Sequence, residues 1–269
     1  MYPLIEYRGE YLTLGQYYLR QAEEKERERL WSEYAKSAGE KQAELSQQVR
    51  ELFEDQRKGI LRRIREEKSL KISPEQVDVW LFDPVTEIAL MAETTGSVVK
   101  LTVVAFGGRM ADQLGIDFDD SAGAVVEYVT NRPFEYSTMV TNNSYRDLRE
   151  ELMEGIRNNE TTREIADRVN RTYDGWEQYR VERIARTETT AASNFGNLEA
   201  MDQSGKVKGK QWLSMRDADV RDSHMAMDRQ TVGVHESFSN GLRHPGDPNG
   251  SAAEILNCRC TMTPVLMGE

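Results

Sequence analysis

The chain holds three histidines and two cysteines, and all five fall between positions 224 and 260: His224, His235, His244, Cys258 and Cys260. Clustered soft and borderline ligands are how a zinc site shows itself in a sequence. Cys258 and Cys260 are separated by one residue, Arg259, so on a strand both thiols point to the same face. A disulfide between them would close a small, strained ring, which favours a reduced pair. Two thiolates can then share one ion, with His224 as a third ligand and His244 or His235 as a fourth; Asp217 is a weaker candidate for that place. Three readings of the cluster stay open: a structural zinc, a metal-free core of buried thiols, and a catalytic metal. Two thiolates donate much charge and leave the ion a poor Lewis acid, so any zinc is expected to staple the fold.

Trp212, Asp217, Arg221 and His224 form a second constellation. If Asp219 to Met227 is helical, Arg221 and His224 lie three apart on one face. An Asp, Arg and His trio can do acid-base chemistry, and with zinc at His224, Cys258 and Cys260 it would make a hydrolase or nuclease with Asp217 as base. The same residues can instead form a hydrogen-bonded network that pins a small unit to a larger body. No nucleophile accompanies them, which favours architecture. The sequence contains no glycine-rich phosphate loop ending in Lys-Ser or Lys-Thr, no nucleophile elbow and no HExxH.

These residues need elements to hold them. The 269 residues are 38% hydrophobic and 30% charged, with a net charge of −11. An acidic balance argues against coating nucleic acid and points to protein partners. Local basic clusters at Arg57, Lys58, Arg62, Arg63 and Arg65, and at Lys206, Lys208 and Lys210, leave DNA contact open. No uninterrupted apolar run approaches a membrane span, and the N-terminus lacks a secretory signal, so a soluble intracellular protein is expected.

The fold class read from periodicity is α+β, in three parts. Residues 1–70 carry 14 acidic and 14 basic residues and a narrow apolar stripe, Leu30, Tyr34, Ala38, Leu45, Val49, Leu52, Phe53, Ile60, Leu61 and Ile64. This is a charged helical arm, weakest at Gly39 and Gly59. It either docks on a partner or packs back on the body, and docking is the expected role. Residues 71–205 form a helical body. A helix start is expected at Ser73-Pro74, a helix over Thr86 to Leu114 with a possible break at Gly107-Gly108, a short helix over Phe118 to Val129, another over Thr138 to Asn158, and a capping box at Thr161 to Glu164 opening a helix to Tyr173. Gly175 is expected to end that helix, and a longer one to follow from Trp176 to Met201. Residues 206–269 form a small α+β module with strands at Lys208 to Met215, Thr231 to Val234 and Cys260 to Leu266, and a loop over Asn240 to Gly250.

One ordered set of residues carries a family resemblance. Arg186-Thr187-Glu188 with Asn194 is followed by Trp212-x-Ser214-x-x-Asp217-x-x-Val220-Arg221-x-x-His224, then His244-Pro245-Gly246-Asp247, then Asn257-Cys258-Arg259-Cys260. Together they resemble the phage Mu F-type minor head, or head morphogenesis, proteins of tailed bacteriophages. The stretch from Phe118, with Glu150-Glu151-Leu152 and Thr162-Arg163-Glu164-Ile165-Ala166, is similar to what precedes that domain. The resemblance implies a structural protein of the capsid interior, present in few copies. It would associate with the portal protein and other capsid components and aid DNA packaging or delivery, in the virion and in the host cytoplasm during assembly. Some members carry Cys-x-x-Cys where Arg221 to His224 stand, which implies a metal role for His224 and a changed site at Arg221. Others carry a toxin domain after this module, and none is expected between here and Glu269.

Overall fold

The computed structural model describes residues 4–66 and 77–267 and has α+β architecture, 69% helical with small antiparallel sheets. A hairpin of β1 (Ile5–Tyr7) and β2 (Glu10–Leu12) leads into α1 (Leu14–Glu66), followed by the short α2 (Val77–Trp80), α3 (Pro84–Leu114), α4 (Gly123–Arg157) and α5 (Thr162–Ser204). The chain then forms β3 (Val207–Leu213), α6 (Asp222–Met227), β4 (Thr231–Val232), α7 (Ala252–Ile255) and β5 (Thr261–Leu266). These three strands make one sheet in the order β4-β3-β5, antiparallel throughout.

Each long helix starts and stops on local chemistry. Asp83 caps α3 by accepting from the amides of Val85 and Thr86, and Pro84 occupies its first turn. The Thr161–Glu164 capping box opens α5, and left-handed Gly115 and Gly205 close α3 and α5. The expected Ser73-Pro74 helix start lies outside the described residues.

Several expected breaks are absent. α1 runs through Gly39 and Gly59, α3 through Gly107 and Gly108, and α5 through Gly175. The two helices expected between Phe118 and Asn158 are a single α4, which accommodates Pro133 internally. A glycine costs a helix about 1 kcal/mol, and burial of the flanking apolar residues outweighs it. Gly196 shows what small residues do here, since a methyl group on it would collide with the carbonyl oxygen of Val103. Its lack of a side chain lets α5 cross α3 at close range.

Of the two roles expected for the charged arm, α1 shows packing on the body. α1 is roughly 80 Å long at 1.5 Å per residue, and Leu45, Val49, Leu52, Phe53, Ile60, Leu61 and Ile64 belong to the same hydrophobic core as α3, α4 and α5. The narrow stripe is enough because three other helices supply the rest of that core. α3 is long and apolar enough, by length and composition, to cross a bilayer, with a mean hydropathy of 1.4 over its best window. In the fold it is a central helix whose Met91, Val98, Val99, Val103 and Phe106 are buried. Deleting residues 1–66 is therefore expected to abolish the cooperative thermal transition, read by circular dichroism; a truncated protein that keeps a sharp melt would show α1 to be dispensable.

Candidate metal centre

α5 supplies the platform for the site. From Thr187 to Met201 it is buried all round, and the buried residues include Thr187, Glu188, Thr190, Ser193 and Asn194. Buried polar side chains need partners, and here the partners are the backbone of the C-terminal motif. Thr187 Oγ1 accepts from the amide of Asn257 at 3.1 Å, Thr190 Oγ1 donates to the carbonyl of Cys258 at 2.6 Å, and Asn194 Nδ2 donates to the carbonyl of Cys260 at 3.0 Å. Thr261 Oγ1 donates to Asn194 Oδ1 at 2.8 Å. Asn257 turns the chain with a positive φ of 58°. From the other side, Trp31 of α1 donates its indole N–H to the carbonyl of Arg259 at 3.1 Å. Asn257 to Thr261 is thus held by backbone contacts while the two thiols face away from α5 into the module.

There they meet His224 of α6. Its Nδ1 lies 3.7 Å from Cys258 Sγ and 3.5 Å from Cys260 Sγ, and all three ligand atoms lie within 4.8 Å of one another. Zinc–sulfur and zinc–nitrogen bonds of about 2.3 and 2.05 Å at a tetrahedral angle separate the ligand atoms by about 3.6 Å, so the spacing already suits the ion. Exposure is 1% for His224, 1% for Cys258 and 0% for Cys260. His224 Nε2 is 3.1 Å from Glu254 Oε2, which also accepts from Asn240 Nδ2 at 3.0 Å. That is the carboxylate–histidine arrangement that fixes the orientation of a metal-ligating imidazole. The thiols are unequal: the hydrogen bond from Cys258 holds the Cys260 thiol well below its ordinary value, helped by His224, and the same bond with burial pushes Cys258 up.

The remaining sequence candidates fall elsewhere. His244 is not part of the cluster; it is buried against Phe195, its Nδ1 3.1 Å from the carbonyl of Pro245. Its loop docks on α5 at Gly246, where a φ of 77° and contact with the backbone of Ala191 leave little space for a side chain. His235 is exposed and pairs with Asp202 at 3.2 Å. Asp217 is held by Arg259 at 2.7 Å and not by His224. Arg221 caps α6 rather than sharing its face with His224, and its guanidinium donates to the carbonyl of Leu256. Trp212 is fully buried, edge-on to His224 at 5.3 Å. The sequence reading missed Glu254, whose only signal is its place four residues before Cys258.

Burial also sets a pH signature at His244, whose imidazole it pushes down to about 4 from 6.5. A folded-state value below the unfolded one means that the stability is complete above pH 6.5 and lost as pH falls toward 4, by on the order of 3 kcal/mol. Urea midpoints measured from pH 7 to 4 should fall in the wild type and fall less in His244→Gln; parallel profiles would refute the assignment to His244.

Residues 146–263 match the model of the family described as Phage Mu protein F like protein. The chain is 23% identical over 183 residues to the uncharacterized protein YqbB of Bacillus subtilis (strain 168), a match that covers 65% of this chain and 60% of that one. It is 25% identical over 218 residues to the NAD(+)--arginine ADP-ribosyltransferase EFV of Enterococcus faecalis (strain ATCC 700802 / V583), covering 70% and 44%. The matches thus span about half the length of these curated relatives. No solved structure gives a significant match. The matched segment contains all of α5 and the whole His224, Cys258 and Cys260 cluster, and over that segment the chain is similar to the Phage Mu F-like family.

Proposed function

We propose that this protein is a phage head morphogenesis protein. In this reading it is a minor component of the capsid interior that works beside the portal protein and other capsid components, during assembly in the host and then in the virion, and aids DNA packaging or delivery. The family match over residues 146–263 carries the reading. The burial of the cluster supports a structural role over a hydrolytic one. His224, Cys258 and Cys260 leave a substrate no access, and Asp217, the base that a hydrolase or nuclease would need, is held by Arg259.

Zinc has a structural place in this reading, with His224 Nδ1 and the sulfurs of Cys258 and Cys260 as three of its ligands. Among the described residues no fourth histidine, cysteine or carboxylate joins that group. Arg221, which stands where some members carry a cysteine, lies close enough to favour the Cys258 thiolate and cannot itself ligate. Half of the basic clusters is engaged inside the fold: Arg57 bonds Asn170 and Asp174, Arg63 bonds the carbonyls of Trp80 and Leu81, Lys206 bonds those of Leu114 and Gly115, and Lys210 is buried on Val234, while Lys58, Arg62 and Arg65 stay exposed. Protein surfaces are the better-supported partners.

Mass spectrometry of purified particles should find the protein at a small fraction of the major capsid protein, cross-linked to the portal. Complete, DNA-filled heads made without it would refute the assignment. Protein purified without chelator should contain about one zinc per chain, with Zn–S distances near 2.3 Å by X-ray absorption. Cys258→Ser and Cys260→Ser should each lose the metal and melt earlier, by about 2 kcal/mol or more. A metal-free wild type of unchanged stability would favour simple packing of the thiols.

A further inference from the structure

A cleft of about 420 Å³ opens on the other side of α5, between α4 and the loop from Arg243 to Asn249. Its size falls in the range of small-molecule sites. Its wall is aromatic: Tyr128 of α4 stacks on Phe195 of α5 with ring centres 3.9 Å apart and planes 9° from parallel. The Tyr128 hydroxyl is buried and, among the described residues, has no hydrogen-bond partner.

The charges around that wall are acidic. Five carboxylates line the cleft against two guanidinium groups. Arg132 is neutralised by Glu188, to which it donates two hydrogen bonds of 2.8 and 2.6 Å. Asp247 is satisfied by the amides of Arg243 and Asn249, and Asp202 by His235. Glu135 at the rim also lies 3.6 Å from Arg132, which leaves Glu127 at the rim and Glu199 inside. Glu199 is 7% exposed and lines the cleft. Among the described residues it has no hydrogen-bond or ion-pair partner, an expensive state for a buried carboxylate. Burial raises its pKa and Asp202 pushes the same way, while Arg243, which also lines the cleft, and His235 offset part of that rise.

We propose that this cleft binds a guanidinium-bearing ligand, with the planar cation against Glu199 and beside the Tyr128–Phe195 stack. A metal ion fits less well. Among the described residues the one group of three or more ligating atoms drawn within 4.8 Å is the thiol cluster, so the carboxylates here are spread too widely to wrap an ion. A guanidinium group is broad and flat. It donates two parallel bonds to one carboxylate and packs on aromatic faces, which matches a lone buried carboxylate next to stacked rings.

The test is calorimetric titration of the full chain with agmatine and with a blocked Gly-Arg-Gly peptide, beside putrescine, glutamate and magnesium chloride. Saturable binding of a guanidinium probe is expected, weakened about tenfold or more by Glu199→Gln, the effect of losing one charged hydrogen-bonded pair. If Glu199→Gln does not fold, Glu127→Gln with Glu135→Gln at the exposed rim should weaken binding in the same direction and more at low salt. Binding of agmatine alone would identify a free small molecule as the source, and binding of the peptide alone a partner's arginine side chain. The proposal is overturned if neither guanidinium probe binds, if the variants bind as the wild type does, or if magnesium binds in preference to both probes.

Discussion

Asn194 brings together parts of the chain that are far apart in sequence. Its amide nitrogen donates to the carbonyls of Thr190 and Cys260 and to the Tyr34 hydroxyl, and its carbonyl oxygen accepts from Thr261. At 0% exposure none of these groups can turn to water, and each one left unmade would cost about 1–3 kcal/mol. α1, α5 and the start of β5 are therefore fixed to one side chain. The positions of Cys258 and Cys260 follow, because their carbonyls are anchored while their thiols are free to face His224.

Charge is distributed by the same logic. The near-equal acidic and basic content of residues 1–70 suggests a solvated arm, yet many of those groups have specific internal partners. Arg27 reaches the carbonyl of Trp212 and the carboxylate of Asp228, and Arg229 reaches Glu23 and Glu24, so α1 is joined to the sheet by ion pairs as well as to the body by its apolar stripe. Between α4 and α5, Arg168 gathers Glu151, Glu154 and Glu160, and Arg132 with Glu188 is buried outright. Removing one partner of that last pair would leave a buried charge unmatched, a much larger effect than at a surface bridge.

The sequence reveals the thiol cluster because the two cysteines are separated by a single residue and His224 stands in an ordered motif, although they lie just before β5 and not on a strand. The sheet is legible too, since β3, β4 and β5 fall inside the expected strand segments to within a residue or two. Glu254 and Glu199 are not legible, because in a chain with 46 acidic residues nothing local distinguishes a carboxylate that will face an imidazole or a cleft. The expected end at Gly175 and break at Gly107-Gly108 fail for a related reason: the penalty of a glycine is local and small, while the core that overrides it is assembled from four helices distant in sequence. His244 is misplaced because a ligand type says nothing about the path of its loop, which Gly246 directs onto α5.

The hydrogen bond from Trp31 to Arg259 links residues 228 positions apart. Contacts of such separation are formed late and slowly, because the intervening chain must first be ordered. During synthesis α1 emerges with its half of the joint exposed, long before β3, α6 and β5 exist to meet it. Assembly of the helices can run ahead, but the thiol cluster is a closing step. A nascent or cleaved chain short of Asn257 would leave the buried Thr187, Thr190 and Asn194 of α5 without the backbone partners that residues 257–260 supply.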